Sequence, residues 1–359
     1  MLRKILILTV FISLIFALPP KGQSLPASPP PSEPAPLPWE DDVCLTPGMY
    51  NYNYGYSYYS NWASHTPNNR VYGVWYRGTT NYPVIMRWWD QSGSWSPEET
   101  VSYQPGLTFT YNYYPAVSGD SNNNVHFFWR GYLSSPVVGY WLFYRSKLAN
   151  GNYTNICSLP TKCGSSHGYP HIAAGKGDTA HAVFYAYWAT YYRIGYAKIV
   201  PTYPTPTVVD IDTISPMTWA SSGYYPHIAV DGQNRVHVVW SHYFSNGNPA
   251  YYTVLYRMRD ANGTWGAIET VSTGFTYNYY NYYPRVAIDG NGNVHVVWTA
   301  YRNNNYYYYI AHRMKTSAGW GDVTILPGDV TTYYWYYPTC AVSPDNKLHV
   351  AFFTNAWGS

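Results

Sequence analysis

Two stretches decide the fold: YYPHIAVDGQNRVHVVW, from Tyr224 to Trp240, and YYPRVAIDGNGNVHVVW, from Tyr282 to Trp298. Each reads as Tyr-Tyr-Pro, a short apolar strand, a Gly/Asn/Asp turn, and a second strand that carries His and ends in Trp. Alternation with a period of two argues for strands, and Gly-Gln-Asn or Gly-Asn-Gly between them for a hairpin. The same phrase is anchored on Pro115, Pro170, Pro226, Pro284 and Pro338, with a degenerate copy from Asn61, at spacings of 54, 55, 56, 58 and 54 residues. A histidine stands eleven residues after each of the five prolines, at His126, His181, His237, His295 and His349. Such regularity marks one supersecondary unit repeated.

Within the unit beginning at Pro226, strands are expected at His227–Asp231, Arg235–Trp240, Tyr251–Arg259 and Ala267–Ser272. Four short antiparallel strands in about 55 residues describe a propeller blade. The expected fold class is therefore all-β, a β-propeller of about six four-stranded blades, with each anchor proline opening an innermost strand. Residues 42–60 read like the tail of a unit, so the last blade should be closed by both ends of the chain. Only 21 residues follow Pro338, so that blade is short of a strand or the chain is a fragment.

The first 18 residues read as an export signal, with Arg3 and Lys4 ahead of an apolar run from Ile5 to Ala17. That run is too short to span a bilayer comfortably, so a membrane enters only if the signal stays uncleaved. Residues 19–40 form a proline-rich linker, and residues 41–359 the propeller. The expected location is secreted or cell-surface. With 11% charged residues and a net charge of +3, the chain has no basic stripe for nucleic acid. Tyrosine is the anomaly, at 44 residues, so recognition must rest on aromatic and amide groups. Of the four cysteines, Cys157 and Cys163 are spaced to clip a local loop as a disulfide; Cys44 with Cys340 is a weaker pairing.

The turn after the third strand carries a family resemblance. Asp260-Ala261-Asn262-Gly263-Thr264-Trp265 and Asp90-Gln91-Ser92-Gly93-Ser94-Trp95 resemble the Asp-box hairpins of sialidase-like (BNR) propellers. The resemblance implies structural roles for Asp90, Gly93, Trp95, Asp260, Gly263 and Trp265, the tryptophans packing between sheets. It also implies what catalysis would need: three arginines gripping a substrate carboxylate, a Tyr/Glu nucleophile pair and an Asp acid. Here Arg87, Arg145 and Arg257 occupy one repeated position, and the family's N-terminal Arg-Ile-Pro signature is missing. Glu99 and Glu269 recur in matching segments, as do Asp120, Asp231 and Asp289; only Asp210 and Asp212 break the pattern. Residues repeated by symmetry are usually structural, whereas catalysis needs one asymmetric constellation. No catalytic residue is assigned.

The five repeated histidines are expected in the core, since equivalent strands of neighbouring blades lie on the order of 10 Å apart, too far for one metal ion. Asp120-Ser-Asn122-Asn-Asn124 and Asp289-Gly-Asn291-Gly-Asn293 imitate the opening of a calcium loop, but Ala300 stands at the second one's twelfth position. Hairpin turns explain them more simply, and calcium is the one cofactor left open. The tyrosine-rich crossovers, such as TYNYYP ending at Pro115 and TTYYWYYP at Pro338, should emerge on one face of the ring. Tyr111, Tyr277, Tyr279, Tyr333 and Trp335 are the candidate ligand-binding residues. The expected function is a noncatalytic propeller binding a glycan or a cell-surface protein. A structural or adhesive module and a degenerate sialidase-like glycoside hydrolase are the alternatives.

Overall fold

A computed structural model describes residues 61–354, apart from 66–67, 79–80, 91–92, 161–164, 189, 217, 246–250, 274–279, 303–306 and 327–334. The export signal, the linker, residues 42–60, Tyr277, Tyr279, Tyr333, Cys44 and Cys163 fall outside the described residues, and so do both cysteine pairings.

The described residues form six antiparallel sheets and no helix. The first holds β1 (Asn61–His65), β2 (Arg70–Tyr76), β3 (Val84–Trp89) and β4 (Glu99–Thr100). The second holds β5 (Thr108–Gly119), β6 (Val125–Ser135), β7 (Gly139–Lys147) and β8 (Cys157–Ser158). The third holds β9 (Ser165–Ala174), β10 (Ala180–Trp188), β11 (Tyr191–Val200) and β12 (Thr207–Thr213). The fourth holds β13 (Ser222–Val230), β14 (Val236–Phe244), β15 (Tyr251–Arg259) and β16 (Glu269–Thr270). The fifth holds β17 (Tyr280–Ile288), β18 (Val294–Arg302), β19 (Tyr307–Thr316), β20 (Gly319–Trp320) and β21 (Thr324–Ile325), and the sixth β22 (Trp335–Val342) and β23 (Leu348–Thr354). Strands pair in chain order, as in a meander, except that β21 pairs with β19 beyond the short hairpin of β20.

The apolar core lies between sheets rather than within one. Five clusters each join one sheet to the next: Val74 and Met86 with Phe127 and Trp129, Leu142 and Tyr144 with Ala182 and Phe184, Ile194 with Trp240, Val254 with Trp298, and Ile310 with Trp335. The repeated aromatic of the second strand is the centre of this packing, with Trp129, Trp240 and Trp298 fully buried; β6, β14 and β18 run four or more residues beyond it instead of ending there as the sequence suggested. A side chain of that size buried on both sides is what makes each sheet depend on its neighbour.

Innermost strands begin several residues before the anchor proline, not at it. In the fourth unit the strand starts at Ser222, and Tyr224 and His227 bracket a register shift against β14. The same shift recurs at Tyr113/Ala116, Tyr282/Arg285 and Tyr336/Thr339, and in β9 between the partners of Val183 and Tyr185. Proline has no N–H to donate, and a β-bulge is where a ladder bond is already missing, so the strand passes through it uninterrupted. The fourth strand of that unit is also shorter than expected, at Glu269–Thr270.

Candidate functional site: a tyrosine arc beside an Arg/His cluster

The bulge sets the geometry of the site. The tyrosine before each anchor proline adopts a left-handed backbone: φ is 54° at Tyr114, 44° at Tyr169, 53° at Tyr225, 53° at Tyr283 and 52° at Tyr337. For a bulky residue this conformation costs about 1–2 kcal/mol and is rare. It turns the five rings toward one another from successive sheets, with centroid separations of 4.9 Å for Tyr114–Tyr169, 5.0 Å for Tyr169–Tyr225, 4.4 Å for Tyr225–Tyr283 and 4.4 Å for Tyr283–Tyr337. The result is an unbroken arc of phenol rings across five innermost strands.

Further tyrosines surround the arc. Tyr113, Tyr224, Tyr282 and Tyr336, one residue earlier, pack on Tyr76, Tyr192, Tyr252 and Tyr308, which stand where second strands end or third strands begin. The remaining unit has Gly168 at that place, where an added Cβ would sit 2.4 Å from the ring of Tyr185. Tyr185 fills the gap itself, 5.7 Å from both Tyr169 and Tyr224. At the outer margin Tyr111, Tyr140, Tyr187, Tyr251 and Tyr280 are exposed. Innermost-strand beginnings, second-strand ends and third-strand beginnings lie at one end of a meander, so these tyrosines share one face. Burial pushes the Tyr113 and Tyr252 hydroxyls up to about 12, with neighbouring tyrosines adding to the effect. Burial raises Tyr225 and Tyr283 as well, so these two phenols present ring faces with hydroxyl donors.

Of the sequence-derived candidates, Tyr111 lies on this face at 36% exposure, stacked 5.8 Å from Tyr113. Trp335 does not: it is 7% exposed and stacks 4.7 Å from Phe352 in the core between the last two sheets. It occupies the place of Asn112 and Asn281, and those amides are buried too. Each accepts a hydrogen bond at 2.8 Å from the indole N–H of Trp129 or Trp298, so they brace the core instead of reaching a ligand.

The residue after each proline differs from unit to unit. Those residues are Ala116, His171, His227, Arg285 and Thr339. The His171 and His227 rings are 3.9 Å apart across neighbouring innermost strands. His227 Nδ1 accepts the Val286 N–H at 3.3 Å, on the edge of β17 that turns away from its partner β18. Arg285 donates to the carbonyl of Pro284 at 3.0 Å. No carboxylate among the described residues pairs with it. Burial, helped by the Arg285 charge, pushes His171 down to about 3 and holds His227 well below its ordinary value.

The repeated polar residues are structural. His126, His181 and His237 lie 2.6, 2.6 and 2.9 Å from the hydroxyls of Tyr144, Tyr196 and Tyr256, while His295 meets His312 at 3.1 Å. Asp120 and Asp231 each hold their histidine and cap their own turn through Oδ1. Those carboxylate oxygens are committed to amides, imidazoles and, at Asp231, the Arg235 guanidinium, and no group of three metal-ligating side chains occurs among the described residues.

Arg87, Arg145 and Arg257 donate through Nε to Ser96, Thr154 and Gly266 carbonyls in the turn after the third strand. Arg145 and Arg257 also reach Val101 and Ile214 on the preceding sheet, each at 2.8 Å. Their guanidiniums are staples between sheets. Glu99 clasps Lys147 and Tyr153, Glu269 clasps Lys315 and Trp320, and Asp210 pairs with Arg259, each across a sheet boundary.

In the Asp260–Trp265 turn, Gly263 has φ 94°, Asp260 Oδ1 accepts the Thr264 N–H at 2.8 Å, and Trp265 meets Tyr196 edge-on at 5.1 Å. Asp90 and Gly93 close a like turn, with Gly93 at φ 81° and Trp95 bridging Trp89.

No family model matches the chain, and no curated protein matches it. Solved structures do. A protein of unknown function from Dyadobacter fermentans aligns over 82% of this chain and 93% of its own, with a TM-score of 0.53 and 10% identity. An ulvan lyase of a new polysaccharide lyase family aligns over 80% and 74%, at TM-score 0.53 and 11% identity. The NanB sialidase of Streptococcus pneumoniae aligns over 82% and 64%, at TM-score 0.50 and 10% identity. The likeness is to an all-β fold of antiparallel, mostly four-stranded sheets, the architecture of propeller proteins. At such identities the likeness shows the fold alone, and the chemistry of the propeller must be read from its own residues.

Proposed function

We propose that this chain is a secreted or cell-surface propeller of six blades that binds glycans, without catalysis, on its tyrosine face. The observation that carries the reading is the arc Tyr114–Tyr169–Tyr225–Tyr283–Tyr337 with exposed tyrosines around it on the same face. Sugar rings present C–H faces edged with hydroxyls, and phenols answer both without the desolvation cost of charge. Two of the aligned structures are named as acting on glycans, an ulvan lyase and a sialidase, which supports a carbohydrate-related role. The noncatalytic reading is supported by the engagement of Arg87, Arg145, Arg257, Glu99 and Glu269 in bonds that hold turns and sheets together. The turns at Asp90–Trp95 and Asp260–Trp265 serve this protein as Asp-boxes, rigidifying the opposite face.

The test is a glycan array probed with the full protein and with the triple variant Tyr111→Ser, Tyr187→Ser, Tyr280→Ser. All three residues are exposed, so the fold is expected to survive while binding to the retained glycans drops by at least about tenfold. Binding by the triple variant equal to the parent removes the tyrosine face from the interaction. Release of sugar from a bound glycan restores the hydrolase alternative.

A further inference from the structure

The glycan reading leaves open what distinguishes one sugar from another, and the Arg/His cluster addresses that. Arg285 is partly buried on the innermost strand of the fifth sheet, with a single backbone acceptor and no carboxylate partner among the described residues. An arginine stays charged under all ordinary conditions, and a charge drawn out of water without a partner is costly. Fixed positive charge in such a place is complementary to an anion that arrives with a ligand. The neighbouring groups fit that occupant. His171 Nδ1 is buried and has no hydrogen-bond partner. A titratable neighbour of the guanidinium is the Cys340 thiol, which burial pushes up to about 12 and so keeps uncharged. Close by, Tyr225 and Tyr283 pack at 4.4 Å and supply ring faces beside the anion.

We propose that Arg285, with His171 and His227, forms an anion-binding site that takes the carboxylate or sulfate group of an acidic glycan whose sugar rings rest on the tyrosine arc. The proposal rests on the glycan reading above for the identity of the ligand, but not for the existence of the anion site. A planar guanidinium matches a carboxylate or a sulfate through two parallel N–H donors, which gives orientation as well as attraction. The cluster is also the asymmetric part of an otherwise symmetric ring. The residue after the anchor proline is Ala, His, His, Arg and Thr in successive units, whereas the prolines and the tyrosines before them repeat. One directional site per molecule requires that kind of asymmetry.

The experiment compares the full protein with Arg285→Met in two measurements. In the first, calorimetric titration uses an oligogalacturonate, its carboxyl-reduced neutral counterpart and a sulfated galactan oligosaccharide, so that carboxylate and sulfate sources are separated. The parent is expected to bind at least one acidic sugar roughly tenfold or more tightly than the neutral one, and R285M to lose that preference while retaining neutral binding. Equal binding of acidic and neutral sugars by the parent overturns the anion site and leaves the glycan reading standing.

In the second, acetate and inorganic sulfate are titrated while the imidazole resonances of His171 and His227 are followed. Shifts in the parent that are absent in R285M are expected. Such shifts with no sugar bound by either protein keep the anion site and remove the glycan reading; no imidazole response to either anion overturns the site outright. Because Met removes a charge that lacks a partner, R285M should melt no lower than the parent. A lower melting temperature would give the guanidinium a structural role and overturn the proposal.

Discussion

Five tyrosines with left-handed backbones need a cause, because each sits immediately before proline, where steric crowding already narrows the backbone, and none can relieve strain as glycine would. The cause is visible in the arc: the bulge turns each ring from its own sheet toward the next, so ring contacts offset the backbone cost. This makes a test at Tyr225. Replacement by Ala loses the ring and keeps the strain, whereas Gly loses the ring and relieves it. Tyr225→Gly should therefore be about 1 kcal/mol more stable than Tyr225→Ala, the reverse of the order expected in a regular strand. Urea denaturation of the two variants decides it, and an Ala variant as stable as the Gly variant would remove the left-handed backbone.

Histidines supply a second prediction at the same scale. Burial pushes His171, His181 and His242 down to about 3 and His312 to about 4, with nearby positive charge or a second imidazole assisting. Their folded values lie below the unfolded value, so the unfolded chain binds more protons between the two. Stability is then intact above about pH 6.5 and falls as the pH drops toward 3, by up to about 1.4 kcal/mol per pH unit for each histidine. Urea midpoints at pH 7 and pH 4.5 measure the loss; equal midpoints would contradict the burial of these rings.

At the scale of elements, the repeat was legible because each unit spends the same residues on the same contacts. The Pro226 unit's third strand, Tyr251–Arg259, is where its pattern placed it. The beginnings of innermost strands were not legible, because proline reads as a boundary unless a bulge is known to hold it. The Arg/His cluster was hidden for another reason: His171, His227 and Arg285 each look ordinary in their own strand, and only alignment of the units puts them at one place. The fate of Trp335 also depended on the neighbouring sheet, and that of Asn112 and Asn281 on the tryptophan of the adjacent strand, neither of which a single strand's pattern contains.

Inter-sheet contacts give the element prediction. Trp265 is only partly buried but meets Tyr196 edge-on and lies 5.5 Å beneath the Arg257 guanidinium, so it joins the fourth sheet to the third. Trp265→Ala should cost about 2–3 kcal/mol, below the roughly 3–5 kcal/mol expected for the fully buried Trp240. Chemical denaturation ranks them, and a Trp265 cost under about 1 kcal/mol would make that indole dispensable to the junction.

At the scale of the molecule, the sheets stabilise one another through cores that lie between them, so a sheet with a free face is the weak point of the series. The sixth sheet contributes two strands among the described residues, β22 and β23, where four of the other five follow four strands and the remaining one five. The closure we propose fills that deficit with residues 42–60, whose sequence resembles a unit's last strand and crossover. A propeller closed in this way joins the beginning of the chain to its end, and the junction protects both an exposed strand edge and the free face of the first sheet. Deleting residues 42–60 should therefore lower the melting temperature of the whole ring in one transition, as opposed to trimming a tail. A melt that coincides with the parent's would show that the segment takes no part in closure, and a separate early transition confined to the sixth sheet would show that the ring does not unfold as one unit. Because the tyrosine arc runs across five innermost strands, the closure reading also requires the deletion to weaken glycan binding in proportion to the loss of folded protein. Full binding by the deleted protein would mean that the arc is organised by its own sheets alone.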